Sequence, residues 1–285
     1  MELGIRISRQ DCYVLRKLFV FAGMAGLSWT AAMPEPNVPK IIERSAQEIT
    51  ADWNQAPDYS FVEREAVSKH DSGQSVKTYQ VFQIEGSPYN RLTAVDDQPL
   101  SAGQRAEEEQ KLRNENQKRQ QESERERARR VEKYQKERRQ DRALMEGMVD
   151  ALDFQFVGQE TMDGRDCWVL NATPKPGYQP TKRELKVLAG MRGRLWIDKA
   201  TSHWVKVQAE VFQTVSLYVF FAKVRPGTRF LLEQKPVAGN LWLPKHLSTH
   251  VNASAFGFIN EDLVDDETYS NYQLTPEALS RLGSR

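Results

Sequence analysis

"HWVKVQAEVF", residues 203–212, is the stretch that decides the fold class. Every second residue is small and apolar, which predicts one apolar face made of Val205, Val207, Ala209 and Val211. A period of two is the signature of a β-strand with one buried face. "IDKAT", just upstream, is a turn signal. The stretch is therefore predicted to be one strand of an antiparallel sheet.

The same rhythm recurs along most of the chain. "TVSLYVFFAKV" (214–224) and "LPKHLSTHVNASA" (243–255) alternate in the same way, and Asp163-Gly164 is a strong two-residue hairpin signal. Residues 59–95 predict a three-stranded meander. The fold class is predicted to be α+β and mostly antiparallel β, as a curved, half-open barrel or sheet.

Two segments predict helices. Residues 38–53 place apolar side chains on one face, which predicts an amphipathic N-terminal helix. Residues 101–150 form a charged helical insertion, in which Ser101 and Gln104 fit a capping box. Acidic-to-basic pairs four residues apart support a helix there without a core behind it. A continuous helix would be about 70 Å long. The alternative is a break or reversal near residues 120–123.

The first 32 residues have the pattern of a secretory signal peptide. A basic start precedes the apolar run "LFVFAGMAGLSWTAA", which predicts cleavage after Ala32. Residues 33–285 are then predicted to be one domain, exported or periplasmic, with no integral membrane span. Cys167 would have no partner for a disulfide and is predicted to be a packed residue.

Few patterns indicate chemistry. His246 and His250 have a helical metal spacing but lie on a predicted strand, where they are about 13 Å apart at 3.3 Å per residue. No nucleophile and base can be paired, so we expect no enzyme, no catalytic residue, no metal and no cofactor. The net charge of +1 gives no argument for a nucleic-acid partner.

The segment 214–224 is apolar on both faces, which is typical of a sheet that receives an apolar ligand or partner. The interpretation that loops and helices bury both faces is equally open. If a cavity exists, the alternation predicts a lining of Val205, Val207, Val215, Leu217, Val219 and Phe221.

Four stretches resemble the LolA/LolB-like outer-membrane lipoprotein-sorting group: "GRDCWVLNATPKP", "GRLWIDKATSHWVKVQAEV", "LWLPKHLSTHVNA" and "DDETYSNYQL". The resemblance covers roughly residues 59–95 and 153–273. It implies a half-open antiparallel barrel with helices in its concave side, and members that carry acyl chains across the periplasm. It brings no catalytic residues. The charged insertion departs from the family pattern.

The sequence therefore supports two hypotheses of function. The first is a non-enzymatic carrier that binds a lipid or an acylated lipoprotein in an apolar concave cavity. The alternative is an envelope structural or interaction protein, which uses the charged helix of residues 101–147 as a docking arm for an envelope partner.

Overall fold

The computed structural model describes residues 35–69, 73–180, 182, 184–218, 222–255 and 259–283. The predicted signal peptide, residues 1–32, lies outside the described residues. Residues Pro36–Arg285 form one compact unit.

Helix α1 (Val38–Gln55) confirms the predicted amphipathic helix. The Asn37 side chain accepts a hydrogen bond from the backbone N–H of Lys40 at 3.0 Å, and Pro39 occupies the first turn. Ile41, Ile42 and Ile49 are buried. This row of isoleucines fixes which side of α1 faces the sheet.

A single antiparallel sheet of thirteen strands organises the described residues. The strands are β1 (Tyr59–Lys69), β2 (Gly73–Ile84), β3 (Ser87–Val95), β4 (Gln98–Pro99), β5 (Leu152–Met162), β6 (Arg165–Pro174), β7 (Met191–Asp198), β8 (Trp204–Val211), β9 (Val215–Tyr218), β10 (Ala222–Val224), β11 (Arg229–Ala238), β12 (Leu241–Ala255) and β13 (Ile259–Leu274). The main path runs β4-β3-β2-β1-β13-β12-β11-β8-β7-β6-β5, with β9 and β10 attached to β12. Because β4 and β5 do not pair with each other, the curved sheet stays half-open, as predicted.

The hairpin between β5 and β6 forms where Asp163-Gly164 predicts it. Both residues have positive φ, 49° and 75°, which is the geometry of a type I′ turn. The meander of β1, β2 and β3 is also confirmed.

The charged insertion folds as two helices, α2 (Ala102–Gln120) and α3 (Glu124–Ala151). The predicted capping box of Ser101 and Gln104 is present. A second one starts α3, where Ser123 and Glu126 hydrogen-bond reciprocally. Ser123 has extended backbone angles, φ −61° and ψ 156°, so α2 ends before it and a new helix begins. A short C-terminal helix, α4 (Pro276–Gly283), follows β13.

Two details of the strand pattern differ from expectation. Residues 214–224 are not one strand, because β9 and β10 pair antiparallel to each other. No glycine or proline marks a reversal there, so the alternation read as continuous. In β8, the register with β7 shifts between Trp196 and Ile197, so Val205 is the extra residue of a β-bulge.

The sheet consequently has two different faces. On the helix-covered face, Leu170, Leu195 and Val207 pack with the isoleucines of α1. On the opposite, outer face, Val205 and Trp196 belong to a separate buried cluster that also contains Cys167, Val169 and Trp242. The bulge therefore separates Val205 from Val207, which straightforward alternation places together.

Candidate functional site

An apolar groove lies between α1, the end of α3 and the edge strand β5. Its volume is about 790 Å³, and we call it the helix groove. Seven of its fourteen lining residues are aliphatic or aromatic: Val38, Pro39, Ile42, Ala46, Val149, Leu152 and Phe154. Glu43, Glu146, Asp150, Asp153 and Lys175 also line it. With Gln47 and Thr50, half of the lining residues are polar or charged, while the exposed surface of the groove is mainly apolar.

The helix groove continues into a narrow cleft between α1 and α3. The cleft ends at Trp204 of the sheet and shares Ala46 and Val149 with the groove. Its volume is only about 20 Å³, enough for about one water molecule. A longer occupant would reach the sheet only if α1 and α3 moved apart. Met145 lines the cleft, and methionine adapts to such changes because it is flexible.

Buried polar contacts hold α1 on the sheet. Trp204 Nε1 donates to Ser45 Oγ at 2.5 Å, and the backbone N–H of Trp242 donates to Asp52 Oδ1 at 3.0 Å. His203 is fully buried and stacks on Trp242 with ring centroids 5.2 Å apart. Its Nε2 lies 3.3 Å from Asp52 Oδ2, close enough for an ion pair when the ring is protonated. These contacts fix the position of α1 on the sheet.

The predicted cavity residues are only partly brought together. Val207 lies in the core beneath α1, whereas Val205 packs in the cluster of the outer face. Val215 is 9% exposed and starts β9, which also contains Leu217. Val219 and Phe221 lie outside the described residues. A lining by these six residues therefore stays a proposal.

The α2–α3 hairpin is fixed to the sheet by two arginines that the sequence analysis did not single out. Arg119 Nη1 donates to the carbonyls of Ile84 and Ser87, each at 2.9 Å, and Arg119 is 6% exposed. Arg130 donates to Ser87 Oγ at 2.6 Å and to the carbonyl of Glu85. Both guanidinium groups thus donate hydrogen bonds to acceptor oxygens of the turn between β2 and β3.

An acidic and aromatic patch lies on the helix-facing side of β1 and β13. Burial, with the charges of Glu267, Glu65 and Asp265 close by, raises the pKa of Glu63 to about 7. Burial also raises the pKa of Glu267, whose carboxylate accepts a hydrogen bond from the Tyr269 hydroxyl. Near neutral pH the Glu63 carboxyl group is therefore partly protonated.

The same patch contains a possible cation-binding arrangement. Oxygens of Glu65, Asp265 and Glu267 lie within 4.8 Å of one another, and the three residues are half-buried. Burial and the charge of Asp266 raise the pKa of Asp265. Acidic groups commonly lie this close together without an ion, so the spacing alone assigns no metal to them.

Cys167 is packed in the core, and His246 and His250 each contact an aspartate. Cys167 is fully buried, and burial raises the pKa of its thiol to about 11, so the thiolate that would react is scarce. His246 and His250 each contact a separate carboxylate, Asp266 at 2.9 Å and Asp262 at 2.7 Å.

In the part of the chain that the structure describes, no helix is both long and apolar enough to cross a bilayer. No model of a known protein family matches the chain, and no curated protein matches it.

Among solved structures, an outer membrane lipoprotein-sorting protein domain from Vibrio parahaemolyticus is similar at a TM-score of 0.32 and 10% identity, over 85% of this chain and 99% of that one. A LolA superfamily protein from Nitrosomonas europaea has a TM-score of 0.32 and 14% identity, over 81% and 94%. Both come from the group that the strand motifs resemble. The MucA/MucB complex of Pseudomonas aeruginosa is similar at a TM-score of 0.24 and 10% identity, over 86% and 96%. At TM-scores this low, the likeness supports no inference about function.

Proposed function

We propose that this chain is an exported, non-enzymatic binding protein for the acyl chain of a lipid or an acylated lipoprotein. The observation that carries the proposal is the helix groove, an apolar groove of about 790 Å³ on the helix-covered side of the sheet. Ligand pockets commonly measure about 300–1,000 Å³. Each methylene group of the acyl chain that is buried contributes about 0.8 kcal/mol to the free energy of binding.

In this proposal the acyl chain enters at Val38 and Phe154 and extends along the seam of α1 and α3 toward Trp204. The cleft is closed in the described state, so deeper entry requires α1 to leave its contacts with Trp204 and Trp242. Val207 lies in the same core as Trp204 and would then join the lining. Binding energy from the methylene groups would offset the loss of those α1 contacts.

A fluorescent long-chain fatty acid tests the proposal with delipidated protein. Ala46 lines both the groove and the cleft, so Ala46→Trp fills the passage, and we expect uptake to fall at least about tenfold. Ala128, an exposed alanine of α3, gives the control Ala128→Trp, which should bind like the unmodified protein. Absent uptake by the unmodified protein, with its far-ultraviolet circular dichroism intact, would refute the proposal.

A second candidate, an interaction protein, is favoured by a basic stripe on α3. The stripe consists of four exposed residues at spacings of four, four and three: Arg125, Arg129, Lys133 and Lys136. Residues at such spacing lie along one face of a helix. Within the described chain, none of the four makes an ion pair. An acidic envelope partner would complement this face.

The two functions make different predictions for one variant. Charge reversal of Arg129 and Lys133 to Glu should abolish capture of an acidic partner from an envelope extract if α3 is a docking arm, while fatty-acid uptake stays unchanged. Unchanged capture by the variant would count against the docking arm.

A further inference from the structure

A second groove lies on the outer face of the sheet, and no helical residue lines it. Its volume is about 680 Å³, and we call it the outer groove. It crosses β6, β7, β8, β11 and β12, and every residue that lines it belongs to a strand. Its floor is close-packed at Gly193, where an added Cβ would lie 2.5 Å from the carbonyl oxygen of Gln208. Because all the lining residues lie on strands, the strand register decides which side chains enter the groove.

The register places the polar side chains in two parallel rows. In one row Arg192 of β7 faces Glu210 of β8, which faces Arg229 of β11. In the other row Arg194 of β7 lies opposite Gln208 of β8. Residues two apart on a strand point to the same side, so both rows line the same groove.

Only one of the three guanidinium groups is neutralised. Glu210 Oε1 accepts from Arg192 Nε at 2.7 Å and contacts Arg192 Nη2 at 2.6 Å. Arg194 donates to the neutral amide oxygen of Asn171 at 3.0 Å. The Arg229 side chain is exposed and makes no hydrogen bond or ion pair with any side chain that the structure describes.

The other titratable side chain of the groove, His250, is already engaged. It contacts Asp262 at 2.7 Å. The carboxylates of the groove and its rim thus have their own partners, and two positive charges remain on either side of β8.

We propose that the outer groove binds a phosphate monoester between Arg194 and Arg229. A phosphate monoester has a charge of about −1.5 to −2 near neutral pH, which balances two guanidinium groups. The planar donor fork of arginine fits phosphate oxygens in pairs. Gln208 and Ser248 line the same groove and add neutral donors. The site lies on the face opposite the helix groove, so it does not depend on acyl binding.

Inorganic phosphate, glycerol 3-phosphate and vesicles containing phosphatidic acid are the three probes. Each is titrated at low ionic strength against the unmodified protein, against the double variant Arg194→Gln/Arg229→Gln, and against Arg113→Gln. Arg113 is an exposed arginine of α2, with 62% of its side chain accessible, and serves as the matched control. Both groove arginines are exposed, so their replacement should leave the thermal midpoint unchanged.

We expect the unmodified protein and Arg113→Gln to bind at least one probe about tenfold or more tightly than the double variant, since two charged hydrogen-bonding groups are lost. Binding of the small phosphates identifies a soluble ligand. Binding of the vesicles containing phosphatidic acid, without binding of either small phosphate, identifies a lipid headgroup. The proposal is overturned if no probe binds, or if the double variant binds as well as the control. Unchanged fatty-acid uptake by the double variant separates this result from the fate of the proposed acyl function.

Discussion

Replacing Arg119 by Met tests whether the charged hairpin is an integral part of the fold. The Arg119 side chain is 7% exposed and donates to Glu115 at 2.6 Å as well as to the carbonyls of Ile84 and Ser87. Methionine keeps much of the apolar stem but removes the donor of three carbonyl groups (Ile84, Ser87 and Pro88), of the Ser87 hydroxyl oxygen and of the Glu115 carboxylate. Each hydrogen bond to a charged group contributes about 1.5–3 kcal/mol, and breaking a buried pair costs about 3–5 kcal/mol.

We therefore expect Arg119→Met to lower the free energy of unfolding by about 3 kcal/mol. If α2 detaches while the sheet stays folded, the loss is limited to the free energy that docks α2. Urea denaturation measures the global change. Amide hydrogen exchange measures the local one, and we expect faster exchange in α2 and in residues 84–88.

Two further variants make the result interpretable. Arg113→Met, on an exposed part of the same helix, should change stability by less than about 0.5 kcal/mol. Arg119→Lys keeps the charge but loses the donor fork, so it should lie between the two. A loss below about 1 kcal/mol for Arg119→Met, with unchanged exchange in α2, would refute the inference that Arg119 anchors the hairpin.

Three other perturbations have defined outcomes. The raised pKa of Glu63, about 7, lies above its unfolded value. The protein should therefore lose stability as the pH rises from about 4.5 to 7, and Glu63→Gln should remove roughly 1–2 kcal/mol of that loss after allowance for partial exposure. Urea denaturation at pH 5 and pH 8 measures the loss. An equal pH dependence in the variant would contradict the prediction. Ser123→Ala should cost about 1 kcal/mol, since it removes the cap of α3; a thermal midpoint that does not fall would show that the cap is dispensable. The Cys167 thiol should resist alkylation by iodoacetamide at pH 8 until the protein unfolds, and fast labelling of folded protein, followed by mass spectrometry, would disprove its burial.

Local signals explain which parts of the fold are predictable. Asp163-Gly164 provides the positive φ values of its turn, and the Ser101 capping box needs only residues three apart. Both depend on short-range chemistry, so the sequence displays them directly. Ser123 and Glu126 form the same signature, and the break between α2 and α3 was within reach of the same rule.

Long-range features were not visible in the same way. The bulge at Val205 depends on how β8 meets β7, and no residue type requires it. Arg119 is one of many arginines in its segment, and its role comes from carbonyls that lie 32 and 35 residues away. His203 and Asp52 approach each other only because α1 packs on the sheet. The helix groove is likewise formed by segments distant in sequence, so strand alternation alone could not locate it.

The strand order also constrains when the protein can fold. β1 pairs with β13, and Ser60 donates to the carbonyl of Gln273, 213 residues away. Among the strands that the structure describes, β1 to β4 join the others only through β13. A chain emerging from the ribosome would therefore expose two unpaired strand edges until its last strand appeared, and such distant pairing is slow. This topology delays completion of the sheet until nearly the whole chain is available. For a chain that crosses a membrane before folding, the delay would be an advantage, because it keeps the polypeptide unfolded and able to be translocated.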